Sequence, residues 1–193
     1  IGPEIVVKSI ADPELFELTN CIVIGDRKVV ENAVKITGEN LKVNVVNDPA
    51  EGDYSAGVLN LIDLDNIDMD KFEFGKISAM CGKAAYEYIE KSIKLAMDGK
   101  ADAVATTPIN KESLHAAEIN FIGHTEIFGA LTGTEDPLTM FETNGMRVFF
   151  LTRHLSLRAM LDQITKDRII DYVVRCTRRT LQATTSTSSA WRR

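Results

Sequence analysis

Apolar positions along this chain follow two rhythms, compact runs of four to six residues and longer stretches at helical spacing. Gly2, Pro3 and Glu4 read as a helix entrance, with Ile5, Val6 and Ile10 on the buried side. Asp12, Pro13 and Glu14 repeat that pattern for a short helix. Cys21, Ile22, Val23 and Ile24 make a compact run closed by Gly25, which predicts a buried strand. Asp26 then caps a helix bearing Val29, Val30, Ala33 and Val34, and residues 41–46 alternate as a strand. Strand, helix, strand in that order predicts a parallel sheet with crossover helices. Residues 47–57 are polar, with Pro49, Gly52 and Gly57, and read as a loop. Residues 58–64 supply a further strand.

The longest helical segment is 78–97, where Cys81, Ala84, Ala85, Tyr88, Ile89, Ile93 and Ala96 line one face. Gly99 ends it, with Lys94 and Lys100 at its negative end. Residues 101–107 are predicted as another strand, stopped by Pro108, and Lys111 opens a short helix. Residues 139–143 and 146–152 flank Asn144 and Gly145, a strong hairpin signal, so an antiparallel pair is expected beside the parallel strands. Ser156 and Thr165 are placed to cap two later helices. Residues 183–193 are low in complexity and without periodicity, and read as a disordered or foreign tail. The predicted class is α/β, an open mixed, mostly parallel sheet with helices on both faces, occupying residues 1–182.

Composition changes this picture little. The chain has 193 residues, 45% of them hydrophobic, enough to bury a real core. A net charge of −6 argues against nucleic acid as the main partner, although five arginines and no acidic residue lie in 172–193. No apolar run approaches the roughly 20 residues that span a bilayer. Cys21, Cys81 and Cys176 are widely spaced; Cys21 and Cys81 sit in apolar surroundings and read as buried thiols. The expected compartment is a reducing cytoplasm.

Candidate chemistry concentrates in Phe121, Ile122, Gly123, His124, Thr125 and Glu126, where a glycine-containing turn delivers polar groups to the mouth of a helix. Free backbone N–H groups there favour an anion. On these residues alone the plainer alternative stands, with Thr125 an N-cap and His124 a satisfied loop histidine. Thr106, Thr107, Asn110 and Lys111 fall where a strand gives way to a helix, the usual ligand edge of an α/β sheet, and Lys111 reads either as a phosphate contact or as a solvated lysine at a helix start. His154 follows the apolar run 148–151. By ligand count it reads as a structural loop histidine, because one histidine does not make a metal site. His115 receives no role. The aspartates between 63 and 70 lack the spacing of a calcium loop and read as a solvated edge.

Four stretches occur in the right order: Ile1-Gly-Pro-Glu-Ile5, 103–111, the Gly123-His124-Thr125 motif, and Thr152-Arg153-His154-Leu155. Together they resemble the 4-hydroxythreonine-4-phosphate dehydrogenase family of vitamin B6 biosynthesis. The resemblance covers residues 1–182, and the family's first strand and downstream part have no counterpart here. It implies a fold like that of isocitrate and isopropylmalate dehydrogenases. It also implies substrate binding by His124 and Thr125, and a divalent metal (Zn, Mg or Co) on His154 together with histidines further downstream in the family.

The implied activity oxidises a phosphorylated hydroxy acid with NAD or NADP. Loss of CO₂ from 4-hydroxythreonine-4-phosphate then yields 3-amino-2-oxopropyl phosphate. A homodimer is implied, with no membrane or nucleic-acid partner. Arg153 and Ser156 stand where vitamin B6 members often carry Thr and Pro. Threonate phosphate or erythronate phosphate are therefore alternative substrates, and an inactive phosphate-binding fragment is a further alternative. An acyl transferase resembling phosphotransacetylase shares a similarly wound sheet, but no CoA pocket is indicated.

Overall fold

The computed structural model describes residues 1–190, and side chains through residue 178. It divides into two units, Ile1–Glu135 and Asp136–Arg193, each taken by itself.

In the first unit the three compact apolar runs become β1 (Ile22–Gly25), β2 (Lys42–Val45) and β3 (Val58–Asp63). All are parallel, in the order β1-β3-β2, with Ile22 opposite Asn60 and Val43 opposite Leu59. Side chains alternate across a strand, so β3 divides its apolar residues between two faces. Leu59 and Leu61 pack on Val7 and Ile10 of α1 (Gly2–Ala11) and on Val30 and Ala33 of α3 (Arg27–Thr37). Ile62 packs with Val46 and with Leu95 of α4 (Ala79–Met97). Helices thus cover both faces, as the sequence pattern predicts. The short α2 (Pro13–Leu18) starts at Asp12, whose carboxylate accepts the Glu14 amide at 3.0 Å.

Two buried polar groups hold the loops around this sheet. Asp26 is the expected cap of α3; its carboxylate accepts the Lys28, Val29 and Ile67 amides at 2.9, 3.3 and 3.0 Å. Asn60, in the central strand, exchanges two bonds of 2.9 Å with the Asp53 backbone and accepts a third from Asn44. The Asn60 side-chain amide thereby has partners at both its oxygen and its nitrogen, which is the condition for keeping an amide in a core.

Residues 101–107 depart from expectation. They form no strand; the segment is irregular and leads directly into α5 (Lys111–Ala116). Alternating small apolar residues make a strand only where a neighbouring ladder accepts them, and among the described residues none pairs with this run. α6 (His124–Thr132) closes the unit, seating Ile127 against Ile89 and Ile93 of α4.

In the second unit β4 (Met140–Thr143) and β5 (Met146–Phe149) pair antiparallel. Asn144 and Gly145 have φ of 47° and 77°, the left-handed pair that a two-residue hairpin turn requires. The hairpin is a sheet of its own, separate from the parallel strands. α7 (Leu157–Gln163) and α8 (Lys166–Ala190) follow, capped by the hydroxyls of Ser156 and Thr165 at 3.3 Å each, as predicted. The α8 backbone runs to Ala190. The side chains of 183–190 and all of 191–193 lie outside the described residues, and with them the reading of this stretch as a tail. Cys21, Cys81 and Cys176 form no disulfide among the described residues, and burial pushes the Cys21 thiol up.

Candidate functional site

α6 begins without a side-chain cap. Its N-cap is Gly123, in extended backbone, so His124, Thr125 and Glu126 occupy the first helical turn. This overturns the plainer reading of Thr125 as the cap. Amides in a first turn have no intrahelical acceptor, and with no cap hydroxyl or carboxylate they remain open to an anion. Glu126 is the acidic residue of this turn, the position that suits the helix dipole. The ring of His124 is only part-buried, but its Nε2 is fully buried and has no hydrogen-bond partner among the described residues.

Burial lowers the His124 pKa below its ordinary value, favouring the neutral imidazole. A neutral ring offers one donor and one acceptor, and a buried polar nitrogen without a partner is costly. His124 is therefore not a satisfied loop histidine. The helix beneath is firmly anchored. Ile127 is fully buried, and Phe121, just before the turn, stacks on Tyr86 of α4 at 6.1 Å and 7°.

The 106–111 segment is also positioned by backbone. A Cβ on Gly2 would lie 2.8 Å from the Thr107 hydroxyl oxygen, so Thr107 sits against the mouth of α1. Asn110 is occupied as the cap of α5, its Oδ1 accepting the Ser113 amide at 2.8 Å. Lys111 is exposed at the start of that helix, and His115 is exposed as well. α5 rests on α4 backbone against backbone. A Cβ on Gly82 would meet the Ser113 carbonyl oxygen at 1.9 Å, and the Ser113 hydroxyl accepts the Ser78 amide at 3.2 Å. A lone glycine inside an otherwise good helix pattern was the available signal for this contact.

His154 belongs to the second unit. It is exposed, on the turn between β5 and α7, with φ of 52°. As a donor its imidazole suits a divalent ion, yet among the described residues no group of three or more His, Cys, Asp or Glu side chains is placed to hold one. The described residues therefore do not by themselves complete a metal site.

Sequence reasoning missed the surroundings of this turn. Arg168 donates to the Leu151 carbonyl, Arg153 to the Pro137 carbonyl, and Arg175 to Asp136. Tyr172 lies between the guanidinium groups of Arg168 and Arg175, 5.2 and 4.7 Å from its ring centre. The spacing of residues 168, 172 and 175 puts all three on one helix face, which was the visible signal.

Comparison with known proteins bears on the family and the fold. The model of the family described as "Pyridoxal phosphate biosynthetic protein PdxA" matches residues 17–190. A protein of Fusobacterium nucleatum named "Putative D-threonate 4-phosphate dehydrogenase" is 56% identical over 178 residues, 92% of this chain and 54% of that protein. A Clostridium botulinum (strain Hall) protein of the same name is 54% identical over 176 residues, 91% of this chain and 53% of its own length. Among solved structures, a 4-hydroxythreonine-4-phosphate dehydrogenase from Burkholderia phymatum superposes with a TM-score of 0.86 at 35% identity, covering 94% of this chain and 55% of that one. The Klebsiella pneumoniae enzyme of that name gives 0.80 at 33% identity, over 92% and 54%. The chain spans about half the length of the curated relatives it matches. With its Gly-His-Thr turn seated at a helix mouth and the match running almost from end to end, this chain belongs to the PdxA family of dehydrogenases.

Proposed function

We propose that this chain is the phosphate-binding part of an NAD(P)-dependent dehydrogenase acting on a phosphorylated four-carbon hydroxy acid. The observation that carries the reading is the uncapped mouth of α6 with the unpartnered Nε2 of His124 beside it. His124 and Thr125 bind the substrate by hydrogen bonds, and the open amides of the first turn favour its phosphate. The relatives above 50% identity carry a D-threonate 4-phosphate name, whereas the solved structures near 35% carry the 4-hydroxythreonine-4-phosphate name. The two substrates differ at one carbon, a hydroxyl in place of an amine. Arg153 and Ser156 depart from the vitamin B6 pattern and favour the threonate ester.

Oxidation at the third carbon sends the hydride of its C–H bond to the nicotinamide and the proton of its hydroxyl to solvent as the C=O bond forms. The resulting β-keto acid loses CO₂. D-threonate 4-phosphate would give dihydroxyacetone phosphate, and 4-hydroxythreonine-4-phosphate would give 3-amino-2-oxopropyl phosphate.

His154 contributes one nitrogen toward a divalent metal, whose chemistry when bound is polarisation of the reacting oxygen. One nitrogen does not make that site, so the 193-residue chain alone is expected to be inactive. Phe141, Met146 and Val148 of the hairpin and Leu161, Ile170 and Val173 of the helices are each exposed apolar side chains, which a second copy of the chain would cover. A homodimer is the assembly this reading expects.

The test is nicotinamide reduction with each substrate by a family-length protein carrying this segment. D-threonate 4-phosphate should give the higher kcat/KM. His154→Ala should abolish metal-dependent turnover, and His124→Ala should lower kcat/KM. Turnover by the 193-residue chain alone, or full metal affinity in His154→Ala, would refute the assignment.

A further inference from the structure

Two arginines fasten the turn that carries His154. Arg168, in the first turn of α8, gives the Leu151 carbonyl two bonds, from Nη2 at 2.9 Å and Nε at 3.3 Å. Arg153, on the turn itself, donates from Nη2 to the Pro137 carbonyl at 2.9 Å. Pro137 follows Asp136, and Asp136 is tied back to α8. Arg175 reaches its backbone oxygen from Nη1 at 2.9 Å and its carboxylate from Nη2 at 2.7 Å. Tyr172 is buried between Arg168 and Arg175 on the same helix face. These links close a ring, from α8 through Leu151 and Arg153 to Pro137, then through Asp136 back to α8.

His154 directly follows Arg153 of that ring and has a left-handed backbone, a conformation that a residue with a side chain keeps where its surroundings over-determine it. Its side chain is exposed, so packing of the imidazole does not supply the constraint. The Arg168 bonds to the Leu151 carbonyl and the Arg153 side-chain bond to Pro137, both just before His154, do. A guanidinium suits this task because its rigid fork delivers two N–H groups to one acceptor, which an ammonium on a flexible stem does not reproduce.

We propose that Arg168 and Arg153 are positioning residues that hold the His154 backbone left-handed and so fix the direction in which its imidazole is presented. The inference rests on the reading of His154 as a group of the site, since an ordinary surface histidine needs no such support.

The experiment is NMR on the whole 193-residue chain. A left-handed residue brings its own amide hydrogen and Hα close together and gives a strong cross-peak between them. Asn144, at φ of 47° in the hairpin turn, provides the reference within the same molecule. In Arg168→Met and in Arg153→Met the His154 cross-peak should fall about two-fold or more relative to that of Asn144 as the backbone relaxes out of the left-handed region. Arg168→Lys keeps a cation over Tyr172 but lacks the fork, and should restore the ratio only in part. An unchanged ratio in both Met variants would overturn the proposal. So would a parallel loss at His154, Asn144 and the Tyr172 ring, which marks general unfolding of the unit. The metal role of His154 is read separately, by the turnover of His154→Ala. Failure there leaves these cross-peak ratios unaffected, and failure here leaves the metal reading standing.

Discussion

Adding one methyl group at Gly82 should destabilise the first unit, although helix propensity argues the other way. Ala in place of Gly inside a helix gains about 1 kcal/mol. Against that, the new Cβ would stand 1.9 Å from the Ser113 carbonyl oxygen, 2.3 Å from its carbon and 2.7 Å from the Leu114 nitrogen. All three are backbone atoms, so no side-chain rotation relieves the clash, and α5 must move by roughly 1 Å or more. Overpacking of this kind costs about 1–3 kcal/mol. The shift also breaks the Ser78 amide bond to the Ser113 hydroxyl, worth about 1 kcal/mol, and begins to expose Leu114, now fully buried. The net loss comes to about 1–3 kcal/mol, and for a chain of this size that lowers the thermal midpoint by roughly 2–12 °C. Thermal and urea unfolding followed by circular dichroism measure it. Gly38→Ala is the control: φ is 72° and no neighbour lies within 4 Å, so only backbone strain of about 1 kcal/mol applies. If Gly82→Ala proves as stable as the parent, or more so, the backbone-on-backbone contact between α4 and α5 is wrong.

Asp26→Ala should cost about 2–4 kcal/mol in urea unfolding, because it removes a helix cap and leaves the buried Ile67 amide without its acceptor; a loss below about 0.5 kcal/mol would contradict the burial of that carboxylate. Asn144→Val forces a β-branched residue into φ of 47°, and hydrogen exchange across β4 and β5 should accelerate, whereas unchanged protection would count against the turn. The pH dependence of His124 has a definite sign. Its folded pKa lies below the ordinary 6.5, so the unfolded chain takes up the proton first. Its contribution is full above 6.5 and is lost as pH falls from there through the folded value; His124→Gln should flatten the urea midpoint across that window, and an unaltered slope would refute the desolvation.

Much of the fold was legible because its signals are local. The runs at 21–25, 41–46 and 58–64 became β1, β2 and β3 to within a residue or two, and Asp12, Asp26, Ser156 and Thr165 cap the helices their positions announce. The Asn-Gly turn imposes its hairpin by backbone conformation alone. What failed needed partners. Among the described residues, 101–107 carry a strand pattern without a ladder, and the hairpin strands pair only with each other. At the candidate site the Gly-His-Thr turn was visible, but that Gly123 rather than Thr125 would be the cap, leaving His124 Nε2 without a partner, depends on packing of Ile127 and Phe121 against α4. The arginine ring around His154 joins residues 136–137, 151–153 and 168–175, and no local pattern announces contacts of that separation.

The most direct test of the account follows the His124 ring itself. Its carbon-bound protons can be observed by NMR while D-threonate 4-phosphate is titrated into the 193-residue chain, with inorganic sulfate at equal ionic strength as the control. The account predicts a saturable shift of the His124 signals, with the amides of Thr125 and Glu126 moving in step. His124→Ala should weaken the binding about tenfold, the equivalent of roughly 1.4 kcal/mol. Shifts no larger than those produced by sulfate, or equal affinity in the parent and in His124→Ala, would show that the mouth of α6 is not where the phosphorylated acid binds.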